Sequence, residues 1–174
     1  MITAAIAALP SDVLVMCQGV GSPLEVLDAV MAGVDVFDSV YPDRAAEQGL
    51  ALTFDVDPPG EGAGGGGVGG GATPRGPAAA DAALRASRIS LADRAFARDA
   101  SPLLRGCACY SCTRHSRAYV HHLLQTHEML AAVLLAAHNL HHYSAFFVAL
   151  RGAVARSEVE AFAARVAAAF ELTP

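Results

Sequence analysis

The chain has 174 residues, enough for one domain with a sizeable core, and 53% of them are hydrophobic, much of that alanine. Its net charge of −5 excludes a global basic field, so any contact with nucleic acid has to be local. No apolar run reaches the roughly 18–20 residues of a membrane span, and residues 1–9 lack the basic leader and cleavage-like site of a signal peptide.

Residues 2–9 read as a short alanine-rich helical piece ended by Pro10. The apolar run 12–18, bounded by turn residues, fits a buried parallel strand. Gly19-Val20-Gly21 then turns the chain. Ser22-Pro23-Leu24-Glu25 is a helix start, with Ser22 as N-cap, Pro23 at the first helical position and Glu25 closing a capping box. Leu24, Leu27, Val30 and Met31 share one face of that helix, and Gly33 ends it. Residues 34–40 form the next strand. A strand, a helix and a strand in such close succession make a βαβ unit, so the two strands should be parallel. Residues 41–48 read as a polar loop containing Pro42, Arg44 and Glu47, and 49–56 as a further short strand.

Composition then collapses. The stretch 57–80 is almost all Gly, Ala and Pro and includes the run Gly64-Gly65-Gly66-Gly67. It cannot bury enough to offset its ordering entropy and reads as a disordered insertion. Ordered sequence resumes near Arg88-Ile89-Ser90-Leu91. Helical periodicity marks 117–136, a second helix is expected over 139–151, and Ser157 is expected to cap a third through Phe170.

Cys107, Cys109 and Cys112 fall within one short turn. Clustered cysteines with no matching disulfide framework suggest a reducing compartment and a metal. Zinc in a structural role takes thiolate and imidazole in a closed tetrahedron, and Cys-x-Cys-x-x-Cys lets a tight turn aim three sulfurs inward. The fourth ligand is open: His115, His121, His122, His127, His138, His141 and His142 are all candidates, and spacing does not choose among them. A helical hairpin after the cysteines would bring His138 back. A redox role is less favoured, because nothing nearby activates a thiolate. Cys17, in the expected strand, reads as a core residue. Asp35 and Asp38 lie three apart in one strand, point to opposite faces and cannot form a dyad. Asp38 sits near the strand's C-terminal end, where it serves either as a turn residue or as barrel-type chemistry. Gly19-Val20-Gly21 is a turn before it is a phosphate loop. Ser111 and Ser116 lack a third orienting group for nucleophilic catalysis.

Together these residues resemble the C-terminal portion of the tRNA-guanine transglycosylase (queuine tRNA-ribosyltransferase) family. The resemblance rests on Gly19-Val20-Gly21-Ser22-Pro23, on Gly33-Val34-Asp35-Val36-Phe37-Asp38, on Cys107-Ala108-Cys109-Tyr110-Ser111-Cys112 followed by Ser116-Arg117-Ala118-Tyr119-Val120-His121-His122, and on His138-Asn139. It implies an α/β fold, the C-terminal part of a (β/α)₈ barrel with a zinc-binding subdomain and closing helices. Gly19 would follow the seventh strand and Asp38 would end the eighth. Residues 1–56 would supply the last βαβ strands, 57–86 the insertion, and 87–174 the zinc subdomain and C-terminal helices. Without the earlier strands the barrel is incomplete, as expected of a fragment or of part of a longer protein. The resemblance implies one zinc per chain on Cys107, Cys109, Cys112 and His138.

The family reaction exchanges guanine in the tRNA anticodon for queuine, with an aspartate that attacks the ribose C1′. Asp38 aligns with that nucleophile. Catalytic members continue with Cys-x-x-Pro-Thr-Arg and a second arginine three residues on. Here the run is Ser39-Val40-Tyr41-Pro42-Asp43-Arg44-Ala45-Ala46-Glu47, so Arg44 is kept, the threonine is Asp43 and the second arginine is Glu47. A carboxylate there weakens contacts to the anticodon loop. Gln18 replaces a methionine that packs on the substrate base. These departures resemble the family's non-catalytic accessory subunits, which pair with a catalytic subunit in a heterodimer and support base exchange through dimerisation and tRNA binding. Two alternatives stand beside this: a catalytic subunit with Asp38 as nucleophile, and a zinc-stabilised interaction fragment with no part in tRNA modification. The family expectation for location is cytoplasmic, with peripheral attachment at the mitochondrial outer membrane.

Overall fold

The structure, a computed structural model, describes residues 6, 8–10, 12–54, 56 and 87–171. The insertion expected over 57–86 and most of the helical piece expected over 2–9 lie outside the described residues.

Strands β1 (Met16–Gln18) and β2 (Val36–Asp38) pair in parallel, Met16 opposite Val36 and Gln18 opposite Asp38. Helix α1 (Pro23–Met31) joins them, which makes the βαβ unit expected from the sequence. Its first turn is fastened as the residues require: Glu25 N donates to Ser22 Oγ, and Ser22 N donates to the Glu25 carboxylate at 3.1 Å. Val26, Leu27 and Ala29 face inward. The expectation that the first strand is buried fails. It is shorter than the apolar run, Leu14 is 81% exposed and Met16 54%, and Cys17 is half-buried outside the core. Among the described residues the two strands have only each other in their sheet; Met16, Gln18, Val36 and Asp38 are exposed, while Phe37 between them packs against Phe147.

Residues 41–48 are not a loop. Tyr41–Glu47 form helix α2, with Pro42 in its first turn and Pro42, Ala45 and Ala46 buried at helical spacing. Proline costs nothing at a position whose N–H has no intrahelical partner, and the charged residues simply occupy the outer face. Strand β3 (Leu50–Leu52) then pairs antiparallel with β4 (Arg88–Ser90), and a single 3₁₀ turn covers Arg94–Phe96.

The C-terminal half is helical: α3 (Tyr110–Arg114), α4 (Arg117–Gln125), α5 (Leu130–Ala155) and α6 (Val159–Glu171). The helix expected over 117–136 instead stops at Gln125, where His127 takes φ 56°, and the break expected near 137–139 is absent. Both His138 and Asn139 spend their side chains on tertiary partners, and α5 runs through them. Ser157 is not an N-cap. It sits at φ 59°, with Glu158 N donating to Ala153 O at 2.8 Å, the left-handed turn that closes α5.

Two apolar clusters form the core. One gathers Val26, Leu27, Leu52, Phe54, Phe146, Leu150, Phe162 and Val166; the other gathers Ala51, Leu91, Leu103, Val120, Leu134 and Leu135. Helix α5 supplies residues to both, and each cluster joins residues from before and after the segment 57–86. Phe54 meets Phe146 edge to face at 5.7 Å and His142 at 4.6 Å, which anchors the end of β3 against the middle of α5.

Candidate metal centre

The cysteine turn is shaped by its own backbone. Gly106 takes φ 80°, a conformation that suits glycine, and Cys107 N donates to Leu104 O. Cys109 is the N-cap of α3, and its Sγ accepts from Cys112 N at 3.3 Å. Leu104 N reaches Cys112 Sγ at 3.5 Å. Ser111, buried between these cysteines, donates its hydroxyl to Leu134 O at 2.6 Å and so pins α3 to α5. The turn from α4 into α5 carries His138 back over the knuckle, as a helical hairpin should.

His138 is fully buried, and its Nδ1 lies 3.3 Å from Cys112 Sγ, 3.4 Å from Cys109 Sγ and 3.8 Å from Cys107 Sγ. The four ligand atoms all lie within 4.8 Å of one another, a cluster that could hold a metal ion. Its other nitrogen, Nε2, stands 2.9 Å from Leu52 O. A carbonyl only accepts, so Nε2 carries the hydrogen and Nδ1 turns its lone pair toward the sulfurs. A backbone carbonyl that holds the far side of an imidazole is the usual support for a ligating histidine.

The electrostatics favour a cation. The Cys107 and Cys112 thiols beside Cys109 hold its pKa far below the usual thiol range, whereas Cys107 and Cys109 push Cys112 far above it. Negative charges on neighbouring sulfurs repel one another, and a bound cation offsets that repulsion. Burial opposes protonation of His138, yet Cys107, Cys109 and the Leu52 carbonyl raise its pKa to about 9. His142, stacked over His138 with ring centroids 6.0 Å apart, is pushed down to about 4, first by burial and then by His138.

The other sequence candidates lie elsewhere. His121 Nδ1 donates to Leu91 O at 2.8 Å, and His115 stacks on Tyr119 at 5.0 Å; His122, His127 and His141 are exposed. Ser116 caps α4, accepting from Tyr119 N, and neither it nor Ser111 meets a histidine as a nucleophile would. Asp35 accepts from Val15 N at 2.9 Å, a purely structural bond. Asp38 is exposed at the C-terminal end of β2, Arg44 and Glu47 are exposed on α2, and none joins the cysteine cluster. Asn139 was missed in the sequence except as a neighbour of His138. Its side chain is fully buried and bonded to β3. The available signal was an amide within an apolar helix, which has to find partners when buried.

Comparison with known proteins bears on this geometry. The model of the family "Queuine tRNA-ribosyltransferase" matches residues 1–172. Proteins named queuine tRNA-ribosyltransferase accessory subunit 2 are similar to it. The one from Xenopus tropicalis is 43% identical over 176 residues, covering 94% of this chain and 42% of that protein. The one from Danio rerio is 42% identical over 166 residues, covering 90% of this chain and 40% of the relative. The one from Homo sapiens is 37% identical over 167 residues, covering 88% and 40%. The chain thus spans less than half the length of these relatives. With its metal-type cluster on the motif residues and the family model running across nearly all of its length, the chain belongs to the queuine tRNA-ribosyltransferase family.

Proposed function

We propose that this chain is the C-terminal part of a non-catalytic accessory subunit of queuine tRNA-ribosyltransferase. In that role it pairs with a catalytic subunit and helps to hold tRNA while guanine is exchanged for queuine at the wobble position. The observation that carries this is the naming of the similar proteins as accessory subunit 2, over nearly the whole chain. The sequence around Asp38 agrees: Glu47 puts a carboxylate on the exposed face of α2, where an arginine would favour phosphate. Residues 1–56 would then supply the last βαβ strands of a (β/α)₈ barrel, 57–86 an insertion, and 87–174 the metal subdomain and closing helices. The parallel β1–α1–β2 unit is what such a barrel repeats. Arg44 would contribute a phosphate contact. No described helix is long and apolar enough to cross a membrane, and cytoplasmic location with peripheral attachment to the mitochondrial outer membrane is the family expectation.

Zinc is the metal this reading assigns to Cys107, Cys109, Cys112 and His138. Tetrahedral arms of about 2.3 Å to sulfur and about 2.0 Å to nitrogen span sulfur–nitrogen edges of about 3.5 Å. The observed separations of 3.3, 3.4 and 3.8 Å fit that edge. Three thiolates and one imidazole leave no position for water or substrate, so the bound ion would be structural.

Asp38→Ala in the purified full-length heterodimer tests the accessory role. Unchanged base exchange is expected. Loss of exchange with intact assembly would overturn it in favour of Asp38 as nucleophile, the reading that the exposed strand-end position of Asp38 keeps in play.

A further inference from the structure

Residues 49–53 present their backbone groups in alternation. The odd positions face β4: Leu91 N donates to Gly49 O at 2.9 Å, Ala51 pairs with Ile89, and Thr53 N donates to Ser87 O at 3.0 Å. The even positions face α5. Leu52 N donates to Asn139 Oδ1 at 2.9 Å, and Asn139 Nδ2 donates to Leu50 O at 2.9 Å and to Pro42 O at 3.2 Å. His138 Nε2 completes the set on Leu52 O at 2.9 Å. Two adjacent helix side chains therefore occupy the free edge of β3, where a neighbouring strand would otherwise bond.

We propose that Asn139 is a positioning residue for the metal centre. By gripping both ends of β3 it fixes the Leu52 carbonyl that orients the His138 imidazole. Through Pro42 it ties the first turn of α2, the helix bearing Arg44, to the same centre. The N–H and C=O of Leu52 leave the strand along one edge. With the N–H held on Oδ1, the C=O cannot swing away from Nε2 without breaking a buried bond. Only a side-chain amide suits this place, since it offers an acceptor for one N–H and two donors for two carbonyls. Aspartate keeps the acceptor but sets a carboxylate against the Leu50 and Pro42 carbonyls; leucine fills the space and bonds to nothing. Metal loading and the α2–β3 corner are then one unit, so an ion at the cysteines governs the order of a helix that carries none of its ligands.

This inference rests on the metal assignment above. The test uses the whole 174-residue chain with Co²⁺ as the probe, in wild type, Asn139→Asp, Asn139→Leu and the control Leu150→Ala. Leu150 is also buried on α5, roughly three turns beyond His138. Loss of a supporting partner typically weakens metal affinity about 10–100-fold. That loss is expected for Asn139→Leu, with a smaller one for Asn139→Asp. Both should shift the cobalt d–d bands and speed amide exchange at Leu52. Leu150→Ala should lower the melting temperature while sparing affinity and spectrum. Unchanged affinity and spectrum in Asn139→Leu would overturn the proposal, and so would an equal loss in Leu150→Ala, which would reduce the effect to general stability. A wild-type chain with no thiolate–cobalt band would instead overturn the metal assignment, and the coupling with it.

Discussion

Three of the four ligands in the cluster are held by a second, quite ordinary bond. Cys109 caps its own helix, Cys112 receives Leu104 N, and His138 rests on Leu52 O. Removing one sulfur would therefore break the four-ligand set that the proposed zinc needs. Cys109→Ala is expected to cut the metal-to-protein ratio from one to near zero. It should also melt α3 and loosen α4, because structural zinc sites contribute on the order of 10 kcal/mol. Elemental analysis and circular dichroism read both effects. Arg117 makes a different kind of bond. It is buried, sends Nε and Nη2 to Leu103 O, and meets Asp99 at 3.1 Å. Burial raises the Asp99 pKa, but Ser101 and Arg117 outweigh it and hold the carboxyl below its ordinary 3.8. A depressed carboxyl stabilises the fold above its ordinary pKa and loses that contribution as pH falls through the folded value. Asp99→Asn is expected to cost about 1 kcal/mol at neutral pH, since Arg117 keeps its two bonds to Leu103. The difference from wild type should vanish in strong acid, which urea unfolding at the two pH values will show.

Among the elements, the approach of the Gly19-Val20-Gly21 turn to the end of β2 is the closest fit. A Cβ at Gly21 would overlap Ser39 Oγ and come within 2.9 Å of Tyr41 Cβ, while Tyr143 donates its hydroxyl to Gly21 O at 2.7 Å. Glycine is needed at 21 for space, and at 19 for a φ of 81°. Gly21→Ala is expected to destabilise by about 1–3 kcal/mol, as overpacking does. Ser39→Ala in the same chain should recover part of that, because it removes the nearer atom, and a double-mutant cycle in denaturant measures the coupling. The sequence marked this turn as a Gly-x-Gly motif without saying why the second glycine is there. The reason lies in a serine eighteen positions away, and no local pattern contains it.

Across the whole molecule, α5 carries the consequences of metal loading. It supplies His138 to the cluster, Asn139 to β3, Leu134 and Leu135 to one apolar group, and Phe146 and Leu150 to the other. The group around Leu91, Leu103 and Val120 is the one built on the elements that carry or adjoin the cysteines. Chelation of the metal is therefore expected to speed amide exchange in β4, α3 and α4 well before it does so in α1, whose packing on α6 uses no ligand. Hydrogen exchange with and without chelator checks this order.

Much of the site was legible from residue order. Cysteine spacing implied a metal turn, and the family motifs selected His138 from seven histidines. The Ser22–Glu25 capping box and the parallel βαβ unit follow from local rules, because caps and periodicities act within a few residues. Several features did not, among them that residues 41–47 are helical, that α5 is continuous through His138-Asn139, and that β1 is exposed. Each depends on partners distant in sequence. Proline and alanine at 42, 45 and 46 pack as a helix only against a core, and a buried amide is tolerated only where β3 supplies its bonds. An apolar strand is buried only where a second layer covers it.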